Sequence, residues 1–344
     1  MKIKINKDLS FSDNGPPLII AEVSANHGGS KKKFLQHIVE AKKNGADLVK
    51  IQTYEPQDMV INDDYKIKTG LWKNKNLYKL YSKAQTPFDW HKDAFKIAKK
   101  NKIELFSTPF SIRALKFLNK FKPNLYKIAS FEITDLRLIN EVAKTKKPII
   151  LSTGLANKKE ILNAIKVIKK YHNRIIILHC ISGYPTPIEE MNIQNISYLK
   201  KLTKINFTGL SDHSKGTEAA ELSSFLNCCA IEKHFILSKK INSPDAKFSI
   251  NRNELRNLRK KINYYFKILG KPKNKITKSE KPSKIFRRSI YSLKDIKKGE
   301  KITKKNVGCF RPNLGISADR YYEVLNKKIK KNIKKYQPLY DKYF

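Results

Sequence analysis

Lys50 and Gln52 stand two residues apart in the run LVKIQ, so on an extended strand both side chains leave the same face. A lysine that faces inward is costly to bury without an anionic partner, and a second such lysine, Lys127, stands in the run LYKIA. Together with the hydroxyls of Thr108, Ser130, Ser152 and Ser211, these two ammonium groups would cradle a small phosphorylated carboxylate. Any one of those hydroxyls is more often an ordinary strand-end or helix-cap group. Their convergence with two lysines is what points to an anion. His213 in GLSDH and His234 in IEKH end neighbouring runs, and two neutral imidazoles meeting there are the usual start of a divalent-metal site. No HExxH spacing occurs, which removes a zinc-protease reading. Two nitrogens completed by water or substrate oxygens suit six-coordinate Mn²⁺ or Mg²⁺ better than a structural zinc. Glu22 and Glu132 are candidate catalytic acids, and the plain alternative for each is a salt bridge to the nearby lysines, which does not exclude catalysis.

Such groups act together only if the fold brings distant segments to one rim. From Pro17 to about Gly270, short β-branched runs alternate with longer amphipathic stretches such as Lys31 to Asn44 and Lys158 to Tyr171. The runs are Leu18 to Val23, Leu48 to Gln52, Ile103 to Ser107, Leu125 to Ala129, Ile149 to Ser152, Ile175 to Cys180, Phe207 to Leu210 and Ala230 to Phe235. Eight strand–helix repeats in about 250 residues match an α/β fold of the closed (β/α)8 kind, a TIM barrel, with an open doubly wound sheet as the alternative. In such a barrel the chemistry sits at the carboxyl ends of the strands. Nearly every polar residue interrupting the runs falls there: Glu22; Lys50 and Gln52; Ser107 and Thr108; Lys127, Ser130 and Glu132; Ser152 and Thr153; His179 and Tyr184; Ser211, Asp212 and His213; Glu232, Lys233 and His234. One long interruption, Tyr54 to Trp90, is rich in aromatics without a clean amphipathic pattern, and reads as a loop that sets specificity.

Residues 1–270 thus form a barrel domain. The stretch KPKNKITKSEKPSK, 271–284, reads as an exposed linker, and 285–344 as a second unit whose small core is expected to lean on another surface. With 344 residues and 40% hydrophobic content, the chain has ample material for a large core. The net charge of +42, from 72 Lys+Arg against 30 Asp+Glu, would ordinarily raise nucleic-acid binding. Here the lysines are scattered as KK and KxxK along every helix-like stretch, the pattern of solvated faces, so no specific nucleic-acid partner is expected. Cys180, Cys228, Cys229 and Cys309 form no CxxC pair and show no zinc-ligand spacing, which fits reduced thiols in the cytoplasm. The N-terminal MKIKINKDLSFSDNGPP lacks an apolar signal core, and no run approaches the ~20 residues that span a bilayer, so no membrane association is expected.

In order along the chain, AEVSANHGG, GADLVKIQTY, FSTPF, YKIASFEITD, ILSTG, HCISGYPTP, GLSDHSKG and EKHF, followed by PDAKFS at 244–249, resemble the family of sialic acid and related nonulosonic acid synthases. Each motif alone is weak, but their number and order cover nearly the whole chain. The terminal unit, through RRSIY, DIKKGE and FRPNLG, resembles the antifreeze-like SAF domain that ends these enzymes. Within the family, GLWKNKNLYKLYSKAQTPFDWH resembles the insertion of the pseudaminic acid synthases, and ASFEITD points the same way.

The resemblance implies condensation of phosphoenolpyruvate with the open-chain form of an N-acetylated amino-sugar, with cleavage of the C2–oxygen bond and release of phosphate. For the pseudaminic branch the sugar is a 2,4-diacetamido-2,4,6-trideoxyhexose. By the same resemblance, Lys50, Lys127, Thr108, Ser130, Ser152 and Ser211 hold phosphoenolpyruvate. His213 and His234 bind the metal, with Mn²⁺ ahead of Mg²⁺ or Co²⁺. Glu22 stabilises cationic character at C2, and Glu132 orients the sugar or the attacking water. Asp245 bonds sugar hydroxyls, while Gln52 and Tyr184 line the site. Ser182 stands where many members carry Asn, which puts one phosphoenolpyruvate contact in doubt. The resemblance further implies a homodimer in which the SAF unit is exchanged onto the partner barrel and Arg311 reaches the acetamido oxygen of the sugar; alone, Arg311 reads as a surface arginine. Three rival readings keep their place: a sialic or legionaminic acid synthase, a phosphoenolpyruvate aldolase making a keto-acid phosphate, and a nucleic-acid or glycan-binding protein on a disabled barrel.

Overall fold

The structure, a computed structural model, describes residues 1–61, 64–270, 272 and 275–344; Asn62 and Asp63 of the long interruption, and Lys271, Lys273 and Asn274 of the expected linker, lie outside the described residues. The chain opens with a small antiparallel hairpin, β1 Lys2–Lys4 with β2 Ser10–Ser12. Eight parallel strands follow: β3 Leu18–Glu22, β4 Leu48–Thr53, β5 Glu104–Pro109, β6 Tyr126–Ile128, β7 Ile149–Ser152, β8 Ile175–Cys180, β9 Thr208–Asp212 and β10 Ala230–His234. They pair in sequence order, and β10 returns to pair with β3, His234 opposite Glu22, so the sheet closes. That pairing removes the open doubly wound alternative. The expected runs match these strands to within two residues, because fully buried parallel strands are continuous β-branched stretches.

The strands alternate between two cores. Ile19, Ala21, Val49, Ile51 and Leu105 on one side of the ring, and Tyr126, Ile128, Ile149, Leu151, Ile175 and Ile177 on the other, face the surrounding helices. The intervening residues Ile20, Leu48, Phe106, Ile150, Ile176, Leu178 and Ala230 point inward and fill the barrel's lower half together with Leu125, just before β6. Ile3, Ile5 and Phe11 of the hairpin pack onto this inner cluster with Phe207 and Cys229 and seal its amino-terminal end. Strands three residues long carry too little periodicity to be seen in the sequence, so this plug was not anticipated. At Gly209 the inner wall is so tight that a Cβ would collide with the carbonyl oxygen of Ala230, so only glycine fits.

Helices Lys31–Lys43, Leu136–Lys144, Lys158–Lys169 and Arg252–Leu269 cover the barrel, and capping boxes from Asn157 with Glu160 and from Asn251 with Glu254 fix the starts of the last two. The interruption after β4 holds more order than its sequence suggests. Asn76 caps a helix at Leu77–Ala84, and Phe88 begins another that runs to Lys100. Aromatics with polar tips serve there as the apolar face: Tyr81 packs edge-on against Tyr54 at the end of β4, and the Tyr54 hydroxyl donates to the Tyr81 carbonyl.

Two compact units divide the chain at Gly270 and Lys271. In the second, β11 Ser289–Ser292 pairs antiparallel with β12 Val307–Phe310, and Ile290, Ile296, Ile302, Val307, Ile316, Ile329, Ile333 and Leu339 form its core. A short 3₁₀ turn, Pro282–Phe286, occupies the end of the expected linker. Among the described residues no helix is long and apolar enough to cross a membrane.

Candidate active site

The inward column of each strand changes character at its carboxyl end. Two residues above Ile20 comes Glu22; above Leu48, Lys50 and then Gln52; above Phe106, Thr108; above Leu125, Lys127; above Ile150, Ser152; above Gly209, Ser211 and His213; above Ala230, Glu232 and His234. Because the side-chain period is two, all of these converge on one mouth.

Four charges meet at the floor of that mouth, all of them buried. Lys50 Nζ lies 2.6 Å from Glu22 Oε2 and 3.5 Å from Glu232 Oε1. Lys127 Nζ lies 3.2 Å from the same Glu232 oxygen, and the Ser211 hydroxyl donates to it at 3.2 Å. Gln52 donates to the other oxygen of Glu22 at 3.2 Å, and Lys50 approaches the Thr108 hydroxyl at 3.5 Å. Burial alone would push both acids up. For Glu232 the ammonium groups of Lys127 and Lys50 outweigh it and hold the carboxyl below its usual range. For Glu22 burial prevails over Lys50 and its pKa is raised. Burial draws the Lys127 pKa down against the pull of Glu232, whereas Glu22 and Glu232 together overcome burial at Lys50 and raise it. The ion-pair reading of Glu22 is therefore realised in the geometry. Glu132, half-buried on the short turn Ser130–Glu132, has no ion pair among the described residues; burial raises its pKa to about 7 in spite of Lys127.

Several atoms around this floor have no hydrogen-bond partner among the described residues. Ser152 Oγ, Glu132 Oε2 and Glu232 Oε2 are buried without a hydrogen bond among the described residues, an arrangement that native interiors avoid unless a ligand or water serves those atoms. Ser130 and Ser182 bond each other through their hydroxyls at 2.8 Å.

The imidazoles of His213 and His234 face each other at the rim, their ring centroids 5.5 Å apart. His213 Nδ1 lies 2.8 Å from the Ile181 carbonyl, which makes it the protonated nitrogen and leaves Nε2 with its lone pair. Burial, reinforced by His234, lowers the His213 pKa to about 3 and keeps the ring neutral, as a metal ligand must be. Asp245 Oδ2 stands 3.4 Å from His234 Nδ1 and 3.4 Å from the Ala25 amide, so this carboxylate lies within ion-pair distance of the imidazole. Among the described residues no three His, Cys, Asp or Glu side chains gather closely enough to hold a metal unaided. The donor set fits an ion held by two imidazole nitrogens and completed by oxygen ligands from water or substrate. Tyr184 leans on His213, with centroids 4.4 Å apart, and Phe248 packs against His234 at 4.9 Å.

Alternation also sends some rim residues behind the sheet. Lys233 pairs with Asp212 at 2.8 Å and donates to the Ser214 carbonyl; Ser107 bonds Thr53; His179 bonds the Met191 carbonyl. Arg311 belongs to the second unit, where it is exposed beside β12, and its peptide bond to Pro312 is cis. Glu232, placed at the rim by its sequence position but given no role there, is the acid on which both lysines converge. Its spacing of two from His234 was the signal that it shares the inward face.

A family model described as the NeuB family matches residues 37–274, and one described as the SAF domain matches residues 287–343. The pseudaminic acid synthase of Campylobacter jejuni is 41% identical over 329 residues, 94% of this chain and 96% of that protein. The N,N'-diacetyllegionaminic acid synthase of the same organism is 37% identical over 325 residues, 92% and 97% of the two chains. Among solved structures, the N-acetylneuraminic acid (sialic acid) synthetase of Leptospira borgpetersenii superposes with a TM-score of 0.75 at 30% identity, over 82% of this chain and 95% of that one. With a family model covering more than half its length and relatives matched nearly end to end, this chain belongs to the NeuB family.

Proposed function

We propose that this chain is a pseudaminic acid synthase, condensing phosphoenolpyruvate with an open-chain 2,4-diacetamido-2,4,6-trideoxyhexose and water to give a nonulosonic acid and phosphate. The observation that carries the reading is the floor of the mouth, where two buried ammonium groups and the unpartnered Ser152 hydroxyl lie beneath a facing pair of imidazoles. Lys50, Lys127, Thr108, Ser130, Ser152 and Ser211 supply charge-assisted and neutral hydrogen bonds to the phosphate and carboxylate. The enol carbon forms the new C–C bond to the aldehyde carbon, whose oxygen takes up a proton. Positive character then falls on C2, where the buried carboxylate of Glu22 stabilises it. A water adds to C2, and as the C2–O bond to phosphate breaks the new hydroxyl becomes the keto oxygen, so phosphate leaves with that bond's electron pair and the hydroxyl's proton. Glu132 titrates near neutrality and is suited to take the proton of that water. Asp245 holds His234 and a sugar hydroxyl; Gln52 and Tyr184 complete the wall.

His213 and His234 would hold a divalent ion, Mn²⁺ before Mg²⁺ or Co²⁺, which when bound supplies Lewis-acid polarisation of the aldehyde oxygen. The specificity for the pseudaminic sugar is supported by the 41% identity to a pseudaminic acid synthase, against 37% to the legionaminic enzyme. A phosphate-release assay with phosphoenolpyruvate, Mn²⁺ and a panel of acetamido sugars tests the reading, with product stereochemistry fixed by NMR; no release with any sugar would overturn it.

The reading extends to a homodimer in which Arg311 of one chain completes the site of its partner by reaching an acetamido oxygen. Mixing Arg311→Ala with His234→Ala chains should then restore up to a quarter of the activity, roughly the share of sites built from intact halves. Inactive mixtures would count against the exchange. We place the enzyme in the cytoplasm, where free Cys180, Cys228, Cys229 and Cys309 stay reduced.

A further inference from the structure

The insertion after β4 carries a group that the reaction as derived does not use. Trp72 sits in a tight backbone loop: Ile67 and Lys75 are joined by a hydrogen bond from the Ile67 amide to the Lys75 carbonyl, Asn74 donates back to Ile67, and the Lys75 amide bonds the carbonyl of Trp72 itself. The helix that follows is capped by Asn76 and tied to the end of β4 through Tyr54 and Tyr81. The loop is therefore fixed in shape by its own backbone bonds; most of residues 64–75 are exposed, and Ile67, Leu71 and Trp72 are half-buried. From it the indole of Trp72 leans on the ring of Tyr184, centroids 5.7 Å apart and planes 37° from parallel, and Tyr184 in turn leans on His213. Trp72 also lines a cavity of about 850 Å³ between the loops after β3, β4 and β10, whose walls include Ala25, Leu71, Leu80 and Ser243. Its Nε1 is buried and has no hydrogen-bond partner among the described residues.

A buried indole N–H without an acceptor is costly unless a ligand supplies one. Lys75, Lys79, Lys83 and Lys247 also line this cavity, but the sugar carries no anionic group and those of the other substrate are drawn to Lys50 and Lys127, so the acceptor is neutral. An amide carbonyl with an adjoining methyl matches both the N–H and the apolar surface of Leu71, Leu80 and the indole face. Among the ring contacts of the described residues Trp72 meets the imidazoles only through Tyr184, one ring farther from the reacting aldehyde. The group it meets therefore lies along the sugar chain beyond the amide next to the aldehyde.

We propose, on the strength of the condensation reading above, that Trp72 is a specificity-determining residue: its Nε1–H donates to the carbonyl of the second acetamido group, while its ring and Tyr184 take the methyl. A sugar with one acetamido group leaves that donor unpaired.

The test compares Trp72→Phe, which keeps an aromatic ring and loses the N–H, with the parent enzyme on two sugars. One is the 2,4-diacetamido-2,4,6-trideoxyhexose and the other a hexose with a single acetamido group and a 6-hydroxyl. Losing one neutral hydrogen bond should raise KM for the diacetamido sugar by about tenfold, with KM for the other sugar and for phosphoenolpyruvate changed less than about twofold. Trp72→Ala should widen the gap, and calorimetry with the unreactive diacetamido alditol should show the same loss of affinity for Trp72→Phe. An equal rise for both sugars, or no rise for either, overturns the assignment while leaving the condensation intact. If the parent enzyme releases no phosphate with any acetamido sugar, the condensation reading itself fails and this assignment falls with it.

Discussion

The two ends of the barrel are made by the same strands and do opposite things. Leu48 and Lys50, Ile20 and Glu22, Ile150 and Ser152, Ala230 and Glu232 each stand two residues apart on one inward face, about 6–7 Å along the strand. At the amino-terminal end, aliphatic and aromatic side chains fill the lumen and a hairpin plugs it. At the carboxyl end, buried charges are set in opposition, and the Ser152 hydroxyl and one oxygen each of Glu132 and Glu232 have no hydrogen-bond partner among the described residues. The lower layer has every reason to be packed tightly, since each buried methylene adds to stability. The upper layer keeps unpaired polar atoms that lower stability and make sense only with a ligand present. Stability and chemistry are thus separated by one repeat of the strand.

That separation is tested most severely by one substitution at each end. Phe106→Ala, in the fully buried lower layer, should cost about 3–5 kcal/mol of stability and leave the turnover of the folded fraction unchanged. Lys127→Ala, one layer higher, should reduce condensation by about 10³-fold or more. It should cost less stability than Phe106→Ala, because Lys50 still neutralises Glu232. Urea midpoints and phosphate release measured on both variants decide it; equal losses in both readouts would erase the distinction between the layers.

Glu132→Gln sharpens the same contrast at a single residue. Burial raises this carboxyl from the ordinary 4.5 to about 7. Across that interval the folded state holds a proton that the unfolded state has released, so this residue's contribution to stability falls as pH rises from about 4.5 to 7 and stays reduced above it. Replacing the acid by its amide should abolish that slope and raise the melting temperature at pH 8. Meanwhile kcat should drop about a hundredfold, and its rise through pH 7 should disappear. A variant both less stable at pH 8 and fully active would refute the placement of this acid among the working groups.

The closed barrel was legible because eight buried runs, each ending in polar residues, leave few other topologies open. The inward column was legible only where spacing exposed it, as for Lys50 with Gln52. The residues Ser107, His179, Asp212 and Lys233 looked equally well placed at strand ends, yet odd and even positions separate them: Lys233 between Glu232 and His234 must face the helices, and does. Glu232 was in view without a role because nothing in one sequence says that two lysines from β4 and β6 will reach an acid on β10. The order within the insertion escaped because Trp72, Tyr78 and Tyr81 replace the aliphatic residues that make helix periodicity easy to see. The amino-terminal plug escaped because its strands are three residues long.

Ser182 marks the upper layer at its finest scale. Its hydroxyl meets that of Ser130 at 2.8 Å and lies near Cys180, whose thiol burial has pushed up and out of use as a nucleophile. The backbone at Gly154 presses so closely on Ser182 and Cys180 that a Cβ there would collide with both side chains. Ser130 is therefore aimed by Ser182 rather than free to rotate. In Ser182→Ala the Ser130 hydroxyl loses that partner, and a bond worth about 0.5–1.5 kcal/mol disappears from the set proposed to orient phosphoenolpyruvate. If Ser130 belongs to the proposed anion cradle, KM for phosphoenolpyruvate should rise about threefold to fivefold, with kcat and the KM for the sugar unchanged. A rise in the sugar KM instead would move Ser130 and Ser182 from the anion side of the mouth to the sugar side.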